Sequence, residues 1–568
     1  MIHGRNLEIS ELTRRRWLPA ALSATVALLL YAPTLWGTFI YDDLAQAVSD
    51  PRLADIKRWG EYFTEAYFPS GPDRLWRPLV SISYALQYQW HGPIAWPFHG
   101  VNILLHAAVS AGVAMLGMRI VALAGSGHEL QGEPAVGQLA MRCGLLSGLL
   151  FAVHPVHVEA VAYIVGRADL LCTAGTVGAL LLALSRWTPR RAIGIFICIW
   201  VAIFSKEQGL MAPLMIAGIW MWKGRLNRSE LRDKGTPFDS ERAVARGLAA
   251  ILTLTLAGYM FYRQRMFSWT WDASSLDTII QPLAESSTAE RLLSAVAILG
   301  RAAQLMIAPL RLTPEYGYAV ITPHPSWADP YGWGGLIVLI AGIAILIANV
   351  RRRKWAAVFL IGCAGVTYGV VSNVTLIGTP FGERLLYLPS VFLLLLIGFV
   401  YARWIERRHH EQHVNPAAAR HARWAELALF LLIGIYGGRS LTYAIRWNDR
   451  LTFLETCLAE NPRAVRLAVL VAEERIRRRE WVLAERAIAD GLAIAPDYWK
   501  LWSQGMWVAI EERKFAEATH WREGAWKRGG YPPDLLWLEG LLERRAAQYA
   551  IEVARRHIWP GVYREVNP

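Results

Sequence analysis

The strongest constraint on this chain is the recurrence of apolar runs long enough, or nearly long enough, to cross a bilayer. They fall at 17–36, 97–123, 139–153, 170–186, 192–204, 210–223, 244–262, 333–350, 355–372, 385–402 and 424–441. A spanning helix needs about 20 residues, so these runs predict an all-α polytopic membrane protein with about eleven transmembrane helices. With 54% hydrophobic residues, 18% charged residues and a mean hydropathy of +0.25 over 568 residues, the composition is too apolar for a soluble enzyme of this size.

The net charge of +13 comes mostly from arginines beside the apolar runs. There they set orientation through the positive-inside rule and favour anionic membrane lipids. No basic recognition helix or aromatic strand motif accompanies them, which argues against nucleic acid as a partner. Arg14, Arg15 and Arg16 predict a cytoplasmic N-terminus, and the first run reads as a retained helix because no small-residue cleavage site follows it. The segment 291–310 is apolar enough to span, but doing so would put Arg351, Arg352, Arg353 and Lys354 outside. It is therefore expected to be re-entrant or interfacial within an external segment, 263–332. The first external loop is 37–96, and the membrane domain occupies 1–445. The five cysteines have no CxxC spacing and suggest neither a zinc site nor a disulfide framework.

From 446 to 568 the chain becomes charged and helical. Trp447, Trp481 and Phe515 are spaced by 34 residues, as are Pro462 and Pro496. That period predicts tetratricopeptide (TPR)-like helical repeats, expected to lie outside the membrane and to bind a protein or glycan acceptor. A helical cap that only stabilises the membrane domain is the alternative.

Ionisable residues at membrane depth mark functional sites by default. Asp42, Asp43, His154, His157, Glu159, Arg167, Asp169, Lys206, Glu207, Glu383 and Arg384 all fall at the outer ends of helices in this topology, and Arg77 lies in the first external loop. A carboxylate can deprotonate a hydroxyl. Arg and Lys can hold a phosphate as it leaves. The combination suits glycosyl transfer from a polyprenyl-phosphate sugar, with Asp42 or Asp43 as the base. Simpler roles stay open for several of these residues: a cap for the Asp pair or for Asp169, and ion pairing for Arg167 with Asp169 or Lys206 with Glu207. For His154 and His157 structural hydrogen bonding is the favoured reading. No cofactor is assigned; a divalent metal at His154, His157 and Glu159 is the less favoured alternative to structural hydrogen bonding, and one at Asp43 and Glu159 remains open.

The stretch from His154 to Leu170, HPVHVEAVAYIVGRADL, resembles the hallmark of the TMTC proteins, transmembrane and tetratricopeptide-repeat O-mannosyltransferases. Two further stretches are similar to other blocks of that family: Ser205 to Gly209 (SKEQG), and Glu383 to Ser390 (ERLLYLPS). So are Trp76 to Leu79 and Phe98 to Asn102. The resemblance implies a GT-C glycosyltransferase fold, a lipid-phosphate sugar donor and a first-loop catalytic acid at Asp42 with Asp43 beside it. It implies donor-phosphate contacts at Arg167, Lys206 and Arg384, with His154, His157, Glu159, Glu207, Glu383 and Arg77 in support. The short repeat region departs from the longer members. The Arg-rich, Lys-poor composition points to a bacterial inner membrane with the repeats in the periplasm. A glycosyltransferase acting on a lipid or envelope glycan, and a non-catalytic scaffold, are the competing readings.

Overall fold

The computed structural model describes residues 17–68, 75–126, 136–230, 238–267, 276–323, 326, 328–411, 416–529 and 533–558. The Arg14–Arg16 cluster lies outside the described residues, as does part of each polar link at 127–135, 231–237 and 412–415. The chain divides into two compact units. The first comprises Met1–Leu276, Leu283–Pro314 and Pro323–Arg450, and the second Asp277–Pro282, Glu315–Thr322 and Leu451–Pro568.

The first unit is built from α1 (Leu18–Tyr31), α2 (Pro78–His91), α3 (Ala95–Gly125), α4 (Val136–Val153), α5 (Arg167–Ala183), α6 (Pro189–Ser205), α7 (Ala212–Glu230), α8 (Phe238–Phe267), α9 (Thr288–Ile307), α10 (Pro330–Arg351), α11 (Trp355–Gly369), α12 (Tyr387–Glu411) and α13 (Pro416–Arg446). All eleven expected runs are helical, and the described residues are an all-α polytopic membrane protein. Among the described residues eight helices are long and apolar enough to span. The other three runs are α6, α7 and the 15-residue α11.

Burial separates an inner layer from a rim. The spans Ile164–Ala183, Glu383–His409 and Ala95–Gly125 are 78%, 72% and 61% buried over their most apolar stretches, against 6% for Pro330–Arg351. The inner helices can carry polar side chains because protein surrounds them. The rim must be apolar all round because nothing in the unit covers it. Helix α9 starts at a capping box in which the Ser287 side chain accepts from Glu290 N and Glu290 from Ser287 N. It carries Glu290, Arg291 and Arg301, is not among the eight spans, and packs along α10. That approach needs glycine: a Cβ on Gly335 would fall 1.8 Å from the Val296 carbonyl.

The second unit contains α14 (Arg450–Glu460), α15 (Val465–Arg477), α16 (Trp481–Ile494), α17 (Trp499–Glu511), α18 (Phe515–Gly529) and α19 (Pro533–Ile558). Helices α15 and α16 pack as a pair, as do α17 and α18, and α16 packs on α17. The pairs start 34 residues apart, at Val465 and Trp499. Their turns repeat too. Arg479 and Arg513 both hold positive φ, 58° and 61°. Glu480 N bonds Arg475 O as Lys514 N bonds Ala509 O, so each turn is a Schellman close. Arg475 also pairs with Glu455 and Glu480 inside this unit.

Candidate functional site

The site begins with the turn after α1. Tyr41 sits at φ 53°, a conformation rarely adopted by a bulky residue and one that recurs where structure is held for function. Asp43 holds that turn. One carboxylate oxygen accepts from Ile40 N at 3.1 Å and the other from Val165 N at 2.9 Å. The residue is 1% exposed. Burial pushes its carboxyl well above the usual range, and the two backbone amides oppose that shift. Asp42 is different. Its backbone N–H donates to the Tyr163 hydroxyl at 3.0 Å, while its side chain is partly exposed and takes no hydrogen bond or ion pair among the described residues. The paired acids therefore divide into a buried clamp and a free carboxylate.

The hallmark stretch forms the floor. Every residue from Phe151 to Leu170 is buried, so its backbone polar groups must find partners inside the protein. Asn102 Nδ2 donates to the carbonyls of Val161, Tyr163 and Ile164, and the Tyr84 hydroxyl donates to Ile164 O. Gly166 passes so close to this segment that a Cβ would lie 2.3 Å from Ala160 O. His154 Nε2 meets Met306 O at 3.1 Å and its Nδ1 accepts from Val156 N. His157 Nδ1 meets Phe151 O at 2.7 Å and its Nε2 the Ser390 hydroxyl at 2.8 Å. Both imidazoles thus spend both nitrogens on protein groups. Arg167, 0% exposed, spends its nitrogens on Asn102 Oδ1, Ser83 Oγ and Phe98 O, with its guanidinium 4.6 Å from the Tyr84 ring centre. Arg167, expected among the phosphate-binding cations, fastens the floor to α2 and α3 through these contacts.

The remaining charges gather. Glu159 accepts from Arg384 N at 2.9 Å and pairs with its guanidinium at 3.5 Å. Burial pushes the Glu159 carboxyl up to about 7, against the pull of Arg384. The Arg384 guanidinium lies 5.4 Å from the Tyr163 ring centre. Lys206 pairs with Asp169 at 2.5 Å, both nearly enclosed. Its ammonium is held down by burial, with Arg77 and Arg384 pressing the same way and Asp169 opposing. Arg77 reaches Glu207 at 3.2 Å, and Arg263 lies 3.9 Å from the same carboxylate. Burial raises the Glu207 carboxyl, but these two guanidinia bring it below its ordinary value. Glu383 turns away and accepts from Thr313 N at 2.6 Å. The structure thus groups Asp42, Glu159, Asp169, Lys206, Glu207, Arg77 and Arg384. It leaves Asp43, Arg167, His154, His157 and Glu383 holding the surrounding backbone and side chains. Three residues the sequence reading passed over, Tyr163, Asn102 and Arg263, also enter. The first two lie within stretches that carry the family resemblance, Tyr163 in His154 to Leu170 and Asn102 in Phe98 to Asn102.

An open apolar groove on α6 is lined by Leu79, Phe196, Ile197, Trp200, Val201 and Phe204. Leu79 and Phe204 are each two residues from the cations Arg77 and Lys206.

Comparison with known proteins adds a second line. Protein O-mannosyl-transferase tmtc2 of Xenopus laevis is 34% identical over 206 residues, covering 33% of this chain and 22% of the relative. TMTC4 of Mus musculus is 39% identical over 157 residues, 26% and 20% of the two chains. Tmtc1 of Drosophila melanogaster is 25% identical over 526 residues, which is 77% of this chain and 57% of the relative. The chain is TMTC-like. No protein-family model matches it, and no solved structure does. The TMTC-like chain matches about a fifth of the length of the first two relatives and just over half of the third.

Proposed function

We propose that the chain is a membrane glycosyltransferase of GT-C type that moves mannose from a polyprenyl-phosphate donor to a Ser or Thr hydroxyl of a protein. The observation that carries this reading is the free Asp42 carboxylate, close enough to Arg384 to act on its charge, beside the Tyr163 ring that carries the same guanidinium. The names of the relatives supply the sugar and the protein acceptor.

In this reaction Asp42 takes the proton of the acceptor hydroxyl as the oxygen attacks the anomeric carbon. The bond from that carbon to the phosphate oxygen breaks, and its electron pair leaves with the lipid monophosphate. A single in-line displacement inverts the anomeric centre. Arg384, Lys206 and Arg77 offset the charge that grows on the phosphate, acting at low dielectric where such contacts are strongest. A phosphate is already a weak base, so no general acid is required. The groove along α6 takes the isoprenoid chain. The 34-residue repeats of the second unit, read as TPR-like, present the acceptor, on the extracytoplasmic side.

The test is transfer of labelled mannose from purified polyprenyl-phosphate mannose to envelope proteins. Asp42→Asn is expected to lower transfer by about 10²- to 10⁴-fold. Equal transfer by the two proteins rejects Asp42 as the base, and label found only in lipid or glycan rejects the protein acceptor.

A further inference from the structure

We infer that Tyr163 is a positioning residue that sets the base and the phosphate-side cation with one side chain, an inference that rests on the reading of Asp42 given above. Its hydroxyl oxygen accepts the Asp42 backbone N–H at 3.0 Å. Its ring carries the Arg384 guanidinium 5.4 Å from the centroid. The ring is itself held: Tyr41 packs edge-on at 6.2 Å, Trp447 lies tilted at 5.6 Å, and Asn102 fixes the Tyr163 carbonyl at 3.1 Å.

The two contacts do different work. Asp42 follows a residue in a strained conformation, φ 53° at Tyr41. Asp43 ties down the turn on one side of Asp42, at Ile40 and Val165, but makes no bond to the Asp42 amide. The Tyr163 oxygen takes up that amide. Without it the turn can relax and carry the carboxylate away from the acceptor hydroxyl. The ring acts on the other partner. Arg384 is held between the Glu159 carboxylate and the Tyr163 face, and loss of the face leaves Glu159 as its ion-pair partner with one side of the guanidinium uncovered. Phenylalanine removes the oxygen and keeps the ring, whereas leucine removes both.

The experiment uses the purified full-length protein with polyprenyl-phosphate mannose. kcat and donor KM are measured per folded site, with sites counted by titration with polyprenyl phosphate. Tyr163→Phe is expected to lower kcat by about 10- to 100-fold with donor KM unchanged. Tyr163→Leu is expected to show that loss and to raise donor KM by about 3-fold or more. The Asp42 amide is expected to exchange hydrogen faster in both variants. Wild-type kinetics in Tyr163→Phe, or a loss that only tracks the number of folded sites, overturns the inference, as does an unchanged donor KM in Tyr163→Leu. If Asp42→Asn is inactive while Tyr163→Phe is normal, the base reading stands and the positioning role falls. If Asp42→Asn matches wild type, the base reading falls and takes this inference with it.

Discussion

Asp42 and Asp43 are chemically identical and adjacent, yet their surroundings differ: Asp43 is buried on two backbone amides and Asp42 is partly exposed. Asp43 satisfies two buried amides, and each orphaned amide costs about 1–3 kcal/mol. Asp43→Ala is therefore expected to lower the thermal unfolding midpoint markedly, followed by intrinsic fluorescence. Asp42→Asn is expected to leave that midpoint unchanged while lowering transfer by about 10²- to 10⁴-fold. The reverse pattern exchanges the roles. Arg167 belongs with Asp43. Three guanidinium nitrogens meet three acceptors there, a geometry one ammonium cannot reproduce. Arg167→Lys is expected to reduce folded yield while donor KM in the surviving fraction stays near wild type. A raised donor KM at full yield would restore Arg167 to the phosphate site.

At the scale of elements, glycine appears where α9 and α10 touch and is missing where the repeat turns close. Gly335 lets α10 lie against the α9 backbone, and no larger residue fits without moving a helix. The repeat turns do without glycine: Arg479 and Arg513 take left-handed φ in spite of their side chains. That conformation costs about 1–2 kcal/mol outside glycine. Arg479→Gly and Arg513→Gly are each expected to stabilise the second unit by about 1 kcal/mol. Slower hydrogen exchange across α15–α18 in the full-length protein checks this, and unchanged or faster exchange refutes it.

At the scale of the whole first unit, the charge group exists only because four distant parts of the chain converge, at Arg77, Glu159, Lys206 and Arg384. Its protonation should govern donor binding. With the Glu159 carboxyl pushed up to about 7, acidification below that value neutralises it and adds one positive charge to the group, favouring an anionic phosphate. Above it the carboxylate competes for Arg384. Donor KM is expected to rise as pH increases through about 7 in wild type and to stay flat in Glu159→Gln. The same slope in both proteins would assign the titration elsewhere.

The apolar runs alone determined the fold class, because a bilayer leaves a chain of twenty-residue apolar segments little choice but helices. The HPVHVEAVAYIVGRADL stretch determined the family likeness, because its pattern is specific over seventeen positions. Neither could separate Asp42 from Asp43, since that choice depends on which carboxylate meets Val165, 122 residues away. Nor could sequence tell the enclosed Arg167 from the gathered Arg77, Lys206 and Arg384. A guanidinium's role depends on the acceptors that folding brings to it, and those of Arg167 come from Ser83, Phe98 and Asn102. Periodicity fixes what a segment becomes, and only tertiary packing decides which polar groups remain free when it is finished.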